Sequence, residues 1–290
     1  MFRLHPACIS CLVKGQMEKA PAGTPDEKKA EYMQRVLKII GEAPKEYTAP
    51  VVVRKINQVQ KEMFGMEEDY SEIKKHFNEV MLAYEAEVQK KVEASEEPLM
   101  LAMQYAMIGN YIDFGAMYQV DQEYLTGLLD SASEKGISRE RYDALQRDLA
   151  KAKKLVYLTD NCGEIVMDKV LIRLLGKLYP QVDITVIVRG APVSNDATME
   201  DAQQVRMTDM VKVIHNGNGI AGTWLPELSQ EARTAMESAD VLIAKGQANY
   251  ETLRKCGMNI YYLFLCKCQL FAEWFRVPKF TGMLINDRDC

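Results

Sequence analysis

Hydrophobic positions recur at helical spacing through the first half of the chain and at strand spacing through the second. From Asp26 to about Ala152 apolar residues fall three or four apart, as in Ile56, Val59 and Met63, or Ile73, Phe77, Val80, Tyr84 and Val88. That is the period of an amphipathic helix with one buried face. Pro98, behind Glu96 and Glu97, suits the first turn of a helix through Leu101, Tyr105 and Ile108, because a helix start leaves that N–H unpaired anyway. Residues 122–131 and 139–153 carry the same period, and only the run 51–53 (Val-Val-Val) looks strand-like before residue 150.

After Lys154 the pattern changes to short apolar, β-branched runs at 155–159, 184–188, 211–215, 241–244 and 260–265. Helical stretches at 165–178, 196–207 and 229–238 lie between them. Such alternation predicts crossover connections and a mostly parallel sheet covered on both faces. The expected fold is therefore α/β: a three-layer sandwich over 153–290, preceded by a helical N-terminal region over 1–152. A last run at 283–285 is expected to add an edge strand. No internal repeat or low-complexity segment is present.

Composition narrows the choice of partner. A chain of 290 residues with net charge -5 has no basic field for nucleic acid or anionic lipid. No apolar run is long enough for a bilayer, and the first residues lack the apolar core of a signal peptide. A cytoplasmic protein with a small-molecule partner is the expectation, without nucleic acid or membrane. Its seven cysteines are expected to be mostly thiols, and three scattered histidines disfavour a multi-histidine zinc site.

In an open parallel sheet, ligands bind beyond the carboxyl ends of the strands, so the residues just after each strand carry the candidate chemistry. They are Asp160-Asn161-Cys162-Gly163-Glu164, Arg189-Gly190 with Ser194-Asn195-Asp196-Ala197-Thr198, Asn216-Gly217-Asn218-Gly219, and Lys245-Gly246-Gln247-Ala248-Asn249. Asp160, Asn161 and Asp196 offer three hard oxygen ligands, too few for calcium but suited to Mg²⁺ or Mn²⁺ with substrate phosphate completing the shell. Taken as a pair, Asp160 and Asn161 serve equally well as caps of the next helix. Gly163 allows a close turn in front of helix N–H groups, a natural phosphate seat. Lys245 is either a surface lysine or a charge clamp on a transferring phosphoryl group. Asn110 and Asp113, three apart on one helix face, form either a substrate-facing wall or a buried polar pair. Cys8 with Cys11, and Cys266 with Cys268, have the spacing of a zinc site; a redox pair and plain buried thiols are the other two readings.

These motifs together resemble one family. The segments 109–114 (Gly-Asn-Tyr-Ile-Asp-Phe), 160–165 (Asp-Asn-Cys-Gly-Glu-Ile), 189–198 (Arg-Gly-Ala-Pro-Val-Ser-Asn-Asp-Ala-Thr), 239–251 and Lys267-Cys268 are similar, in order, to those of the damage-control phosphatases. The resemblance implies that Asp160, Asn161 and Asp196 hold a divalent metal, that Lys245 holds the substrate phosphate, and that Asn110 and Asp113 line the pocket. Gly163, Glu164 and Asn218 are expected on the substrate side. It further implies hydrolysis of small phosphoesters, such as sugar phosphates or phosphopantetheine-like metabolites, with Mn²⁺, Co²⁺ or Ni²⁺ preferred over Mg²⁺. The role so implied is removal of damaged phosphometabolites. The attacking group is either Asp160, through an aspartyl-phosphate, or water. The paired cysteines resemble the smaller prokaryotic branch, with structural zinc as one option. Cys162 stands where many relatives have alanine, as a redox-sensitive neighbour or a small filler. The rival functions are a non-enzymatic metal- or phosphometabolite-binding protein, an S-adenosylmethionine-dependent carboxyl methyltransferase and a cysteine-based sensor. A single glycine after the first strand is poor for a nucleotide loop.

Overall fold

The computed structural model describes residues 4–65, 69–108, 127, 129–134 and 136–289. The chain forms two compact units, Met1–Asp69 and Tyr70–Cys290. The first holds α1 (Pro6–Met17), α2 (Asp26–Gly41) and α3 (Ala49–Phe64). Leu4, Tyr32, Val36, Ile40, Val52, Ile56 and Val59 make its core. The strand-like run 51–53 lies inside α3, where Pro50 occupies the first turn. Val52 packs on the same buried stripe as Ile56 and Val59, so tertiary burial outweighs the β preference of three valines.

The second unit opens with α4 (Ser71–Glu93), α5 (Pro98–Ile108) and α6 (Arg139–Lys151). Then follow β1 (Lys154–Leu158), α7 (Glu164–Leu178), β2 (Asp183–Val188), α8 (Met199–Gln204), β3 (Lys212–His215), α9 (Gln230–Glu237), β4 (Val241–Lys245), α10 (Gly246–Leu253), β5 (Ile260–Leu265), α11 (Gln269–Phe275) and β6 (Gly282–Asn286). The change of period near residue 152 therefore marks a change of secondary structure; α4 to α6 share a compact unit with the sheet. The helix expected over 196–207 shortens to α8, and residues 122–131 lie largely outside the described residues.

The six strands run in the order β3-β2-β1-β4-β5-β6. All neighbours pair in parallel except β5 and β6. Leu155 and Tyr157 of β1 face one core with Val166 and Met103, while Val156 and Leu158 face a second core with Ala232 and Tyr250. Side chains alternate across a strand, and a core on each face makes three layers. The order places β1 beside β4 while the chain leaves β1 toward β2. That reversal is the switch point at which open α/β sheets bind ligands.

Candidate active site

Asp160 and Asn161 follow β1, and Asp196 lies in the loop between β2 and α8. Backbone bonds stitch these two loops together. The Cys162 N–H donates to the Asn195 carbonyl at 2.8 Å and the Ala197 N–H to the Asp160 carbonyl at 2.7 Å. Asn161 and Asp196 form a bridge between the loops. The structure thus brings the three expected ligands to one place. Asn161 donates from Nδ2 to Asp160 Oδ2 at 2.9 Å and to Glu164 Oε2 at 3.2 Å, and its Oδ1 accepts from no described residue.

Arg189, which ends up beside both aspartates, carries no expected role from the sequence. Its Nε donates to Asp196 Oδ2 at 2.6 Å and its Nη2 lies 3.6 Å from Asp160 Oδ1. The guanidinium is buried, and Nη2 makes no hydrogen bond. Its position directly after β2 was the available signal.

Electrostatics single out the same place. Burial, and then the charges of Asp196 and Glu164, push the Asp160 carboxyl up to about 8, against the opposing pull of Arg189 and Lys267. Burial also raises Asp196, although Arg189 works against it. Among the described residues, four buried carboxylates (Asp160, Glu164, Asp168 and Asp196) share this cluster with two buried cations, Arg189 and Lys245. A divalent cation bound by oxygen donors fits that excess of negative charge. Within either unit, no three His, Cys, Asp or Glu side chains among the described residues are grouped to hold a metal. The oxygen donors expected from the sequence are two carboxylates and the Asn161 amide.

Other expected residues sit differently. Lys245 is fully buried, and its ammonium donates to the Ala106 carbonyl at 2.7 Å, Glu164 Oε1 at 2.7 Å and Asp168 Oδ1 at 2.8 Å. All three N–H bonds are taken, so none remains for a phosphate. Burial opposes the charge, but Asp168 and Glu164 push the lysine up to about 12. Glu164 is likewise internal: its second oxygen accepts from the Asn161 N–H at 3.3 Å, which orients the Asn161 segment.

The phosphate seat expected at Gly163 is also occupied by the protein. The Gly163 N–H donates to Asn78 Oδ1 at 2.6 Å, Glu164 N–H to the Cys162 carbonyl and Ile165 N–H to the Asn161 carbonyl. Gly163 itself is required, since its φ is +68° and a Cβ would lie 2.2 Å from the Phe77 ring. Asn218 spends its side chain inside its own loop, donating to the Glu227 carbonyl and accepting from the Ile220 N–H. Cys162 is buried, and that burial holds its thiol well above the usual range, the environment of a small filler. Cys8 and Cys11 belong to the first unit, Cys266 and Cys268 to the second; none of the four is in a disulfide. Asn110 and Asp113 lie outside the described residues.

Two further residues complete the site. Lys267, just past β5, acts on Asp160 through space, is partly exposed, and has no ion-pair partner among the described residues. Gly246, at the start of α10, has φ +77°, and a Cβ there would lie 1.9 Å from Asp160 Oδ2. Gly246→Ala is therefore expected to displace the Asp160 carboxylate and to weaken any Mn²⁺ binding that uses Asp160 as a ligand about 10–100-fold. The positive φ adds a stability loss of about 1–3 kcal/mol. Calorimetric Mn²⁺ titration and a melting curve check both.

Comparison with known proteins agrees with the resemblance. Residues 4–281 match the family model described as the Damage-control phosphatase ARMT1-like domain. A damage-control phosphatase of Archaeoglobus fulgidus is 32% identical over 278 residues, covering 94% of this chain and 95% of that protein. One from Pyrococcus horikoshii is 27% identical, covering 99% of both. A crystal structure of a DUF89 family protein from Pyrococcus horikoshii superposes with a TM-score of 0.79 at 25% identity, covering 98% of each chain. Among the described residues no helix is long and apolar enough to cross a membrane.

Proposed function

Because the chain belongs to the damage-control phosphatase ARMT1-like family, we propose that it hydrolyses small phosphorylated metabolites at the β1–β4 switch point, using a divalent cation held by Asp160, Asn161 and Asp196. The family supports a phosphatase in metabolite repair. The observation that carries the finer reading is the surplus of buried carboxylate around Asp160, in a crevice where a parallel sheet presents its ligands. When bound, the cation supplies Lewis-acid polarisation of a phosphoryl oxygen. Mn²⁺, Co²⁺, Ni²⁺ and Mg²⁺ all suit such oxygen donors.

The chain's own residues divide the remaining work. Arg189 fixes Asp196 through Nε and keeps its Nη2 toward Asp160, so both carboxylates hold one orientation. Glu164, pinned by Lys245, holds the backbone and amide of Asn161. Among the described residues, Lys267 stands at the carboxyl end of β5 to meet a substrate phosphate, neutralising charge as the phosphoryl group transfers. Lys245 acts beneath the site rather than on the substrate. Either Asp160 or water attacks phosphorus; the stereochemical course for an isotopically chiral thiophosphate ester separates them, since two displacements through Asp160 retain configuration and one displacement by water inverts it.

Lys267→Ala is expected to raise KM for a phosphoester about tenfold or more and to weaken competitive inhibition by inorganic phosphate. Mn²⁺ affinity and melting temperature should stay near wild type. A drop in Mn²⁺ affinity equal to the rise in KM would instead place Lys267 in the metal site. The test of the whole proposal is a phosphatase screen over sugar phosphates and phosphopantetheine-like esters with each of the four metals. Phosphoester binding without turnover under every metal would favour a binding protein instead.

A further inference from the structure

The two loops that carry the expected ligands are both tied to a single helix that precedes the sheet. Asn78 of α4 is fully buried. Its Oδ1 accepts from the Gly163 N–H at 2.6 Å, two residues after Asn161. Its Nδ2 donates to Asp201 Oδ1 at 2.9 Å and to Gln204 Oε1 at 2.8 Å, both on α8 behind Asp196. One turn earlier on α4, Lys74 pairs with Asp201 Oδ2 at 2.6 Å.

Asp201 passes the tether on toward the Asp196 loop. Its Oδ2 accepts from the Thr198 N–H at 2.7 Å and from Thr198 Oγ1 at 2.9 Å, the capping box that starts α8 two residues after Asp196. Phe77, next to Asn78, lies against Gly163 so closely that no side chain fits there. A buried amide whose three bonds end at the turn after Asn161 and on the helix that follows Asp196 is more than packing requires.

We infer that Asn78, supported by Lys74, is a positioning residue that sets the spacing between Asp160–Asn161 and Asp196, so that the site is preorganised before a cation arrives. The role rests on the proposed ligand set. Loosening either end of the tether leaves each ligand present but frees one loop to move relative to the other. Partners that orient ligands commonly affect metal affinity about 10–100-fold, and a preorganised site loses affinity when ordering must occur on binding.

The test is Mn²⁺ titration of metal-stripped full-length protein, with melting curves measured without metal. Asn78→Ala is expected to weaken Mn²⁺ binding about 10–100-fold. Lys74→Met, which slackens Asp201 without touching Gly163, should weaken it less, in the same direction. Lys169→Met is the control: Lys169 joins α7 to α4 through Glu85 at 2.8 Å but reaches neither loop. It should lower the melting temperature and leave Mn²⁺ affinity unchanged. Wild-type affinity in Asn78→Ala, while Asp196→Ala loses binding, overturns the positioning role alone. If wild type takes up no Mn²⁺, or Asp196→Ala binds it normally, the ligand set fails and this inference with it. Should Asn78→Ala not fold, unchanged affinity in Lys74→Met is the overturning result.

Discussion

Asp160→Asn is expected to melt above wild type without metal and below it with saturating Mn²⁺, while losing phosphatase activity. The first half follows from the buried charge. Burial and the neighbouring Asp196 and Glu164 carboxylates raise the folded-state Asp160 carboxyl to about 8, against an ordinary value near 4. A raised acid binds protons more tightly folded than unfolded. Its contribution is therefore favourable below the unfolded value and is lost as pH rises through about 8. At pH 7 the folded chain holds Asp160 mostly protonated whereas the unfolded chain ionises it, a net cost to folding that the isosteric amide removes while still able to accept from Asn161 Nδ2. A gain of even about 1 kcal/mol raises the melting temperature by roughly 2–4 °C in a unit of this size.

The second half follows from linkage. A cation that binds only the folded chain adds about 2.7 kcal/mol at one hundred times its dissociation constant. The amide variant, short of one carboxylate ligand, gains little of this. The order of the two melting temperatures consequently reverses on adding Mn²⁺. Scanning calorimetry in chelator and then in excess Mn²⁺ reads both orders directly. A variant that melts below wild type in chelator would show that Asp160 is adequately compensated by Arg189 and Lys267 alone. Such a reversal is what a site that holds destabilising charge for its function should display.

What the sequence made legible was whatever depends on near neighbours. The short apolar, β-branched runs at 155–159 and 241–244 predicted β1 and β4, and the strand-end rule placed Asp160 and Asp196 near a common centre. Arg189 stood in the same ring of strand-end residues, yet its task depends on Asp196 and on Thr223 and Asn249, up to 60 positions away. Lys245 sits differently from its expected place for the same reason. A lysine at a strand end reads as solvent-facing until Glu164 and Asp168 arrive from 81 and 77 positions back and Ala106 from 139. The free N–H groups at Gly163 were expected because a helix start leaves donors unpaired. Asn78, 85 positions earlier, takes the Gly163 donor, and no local pattern signals that. The valines at 51–53 are the reverse case, a local preference overridden by the apolar stripe that runs on through Ile56 and Val59.

Lys245→Met is expected to cost stability first and activity only as a consequence. Removing one partner of a buried ion pair leaves the other charge without compensation, typically a loss of about 3–5 kcal/mol. Here two carboxylates are stranded, Glu164 and Asp168, each 0% exposed, and the Ala106 carbonyl loses its donor. At roughly 2–4 °C per kcal/mol, the fall in melting temperature is about 6–20 °C. The variant should regain part of this as pH falls. Burial already raises the Asp168 carboxyl to about 6, with Lys245 pulling it down and Glu164 pushing it up. Deleting the lysine raises it further, so the folded variant gains protons, and stability, between neutral pH and about 5. Adding Asp168→Asn to Lys245→Met should recover stability at pH 7 for the same reason. A lysine that clamped the substrate phosphate would behave otherwise, with a wild-type melting temperature and pH profile and only turnover lost. Melting curves of the three proteins between pH 5 and 8 therefore separate a lysine that holds Glu164 in place from one that touches the substrate.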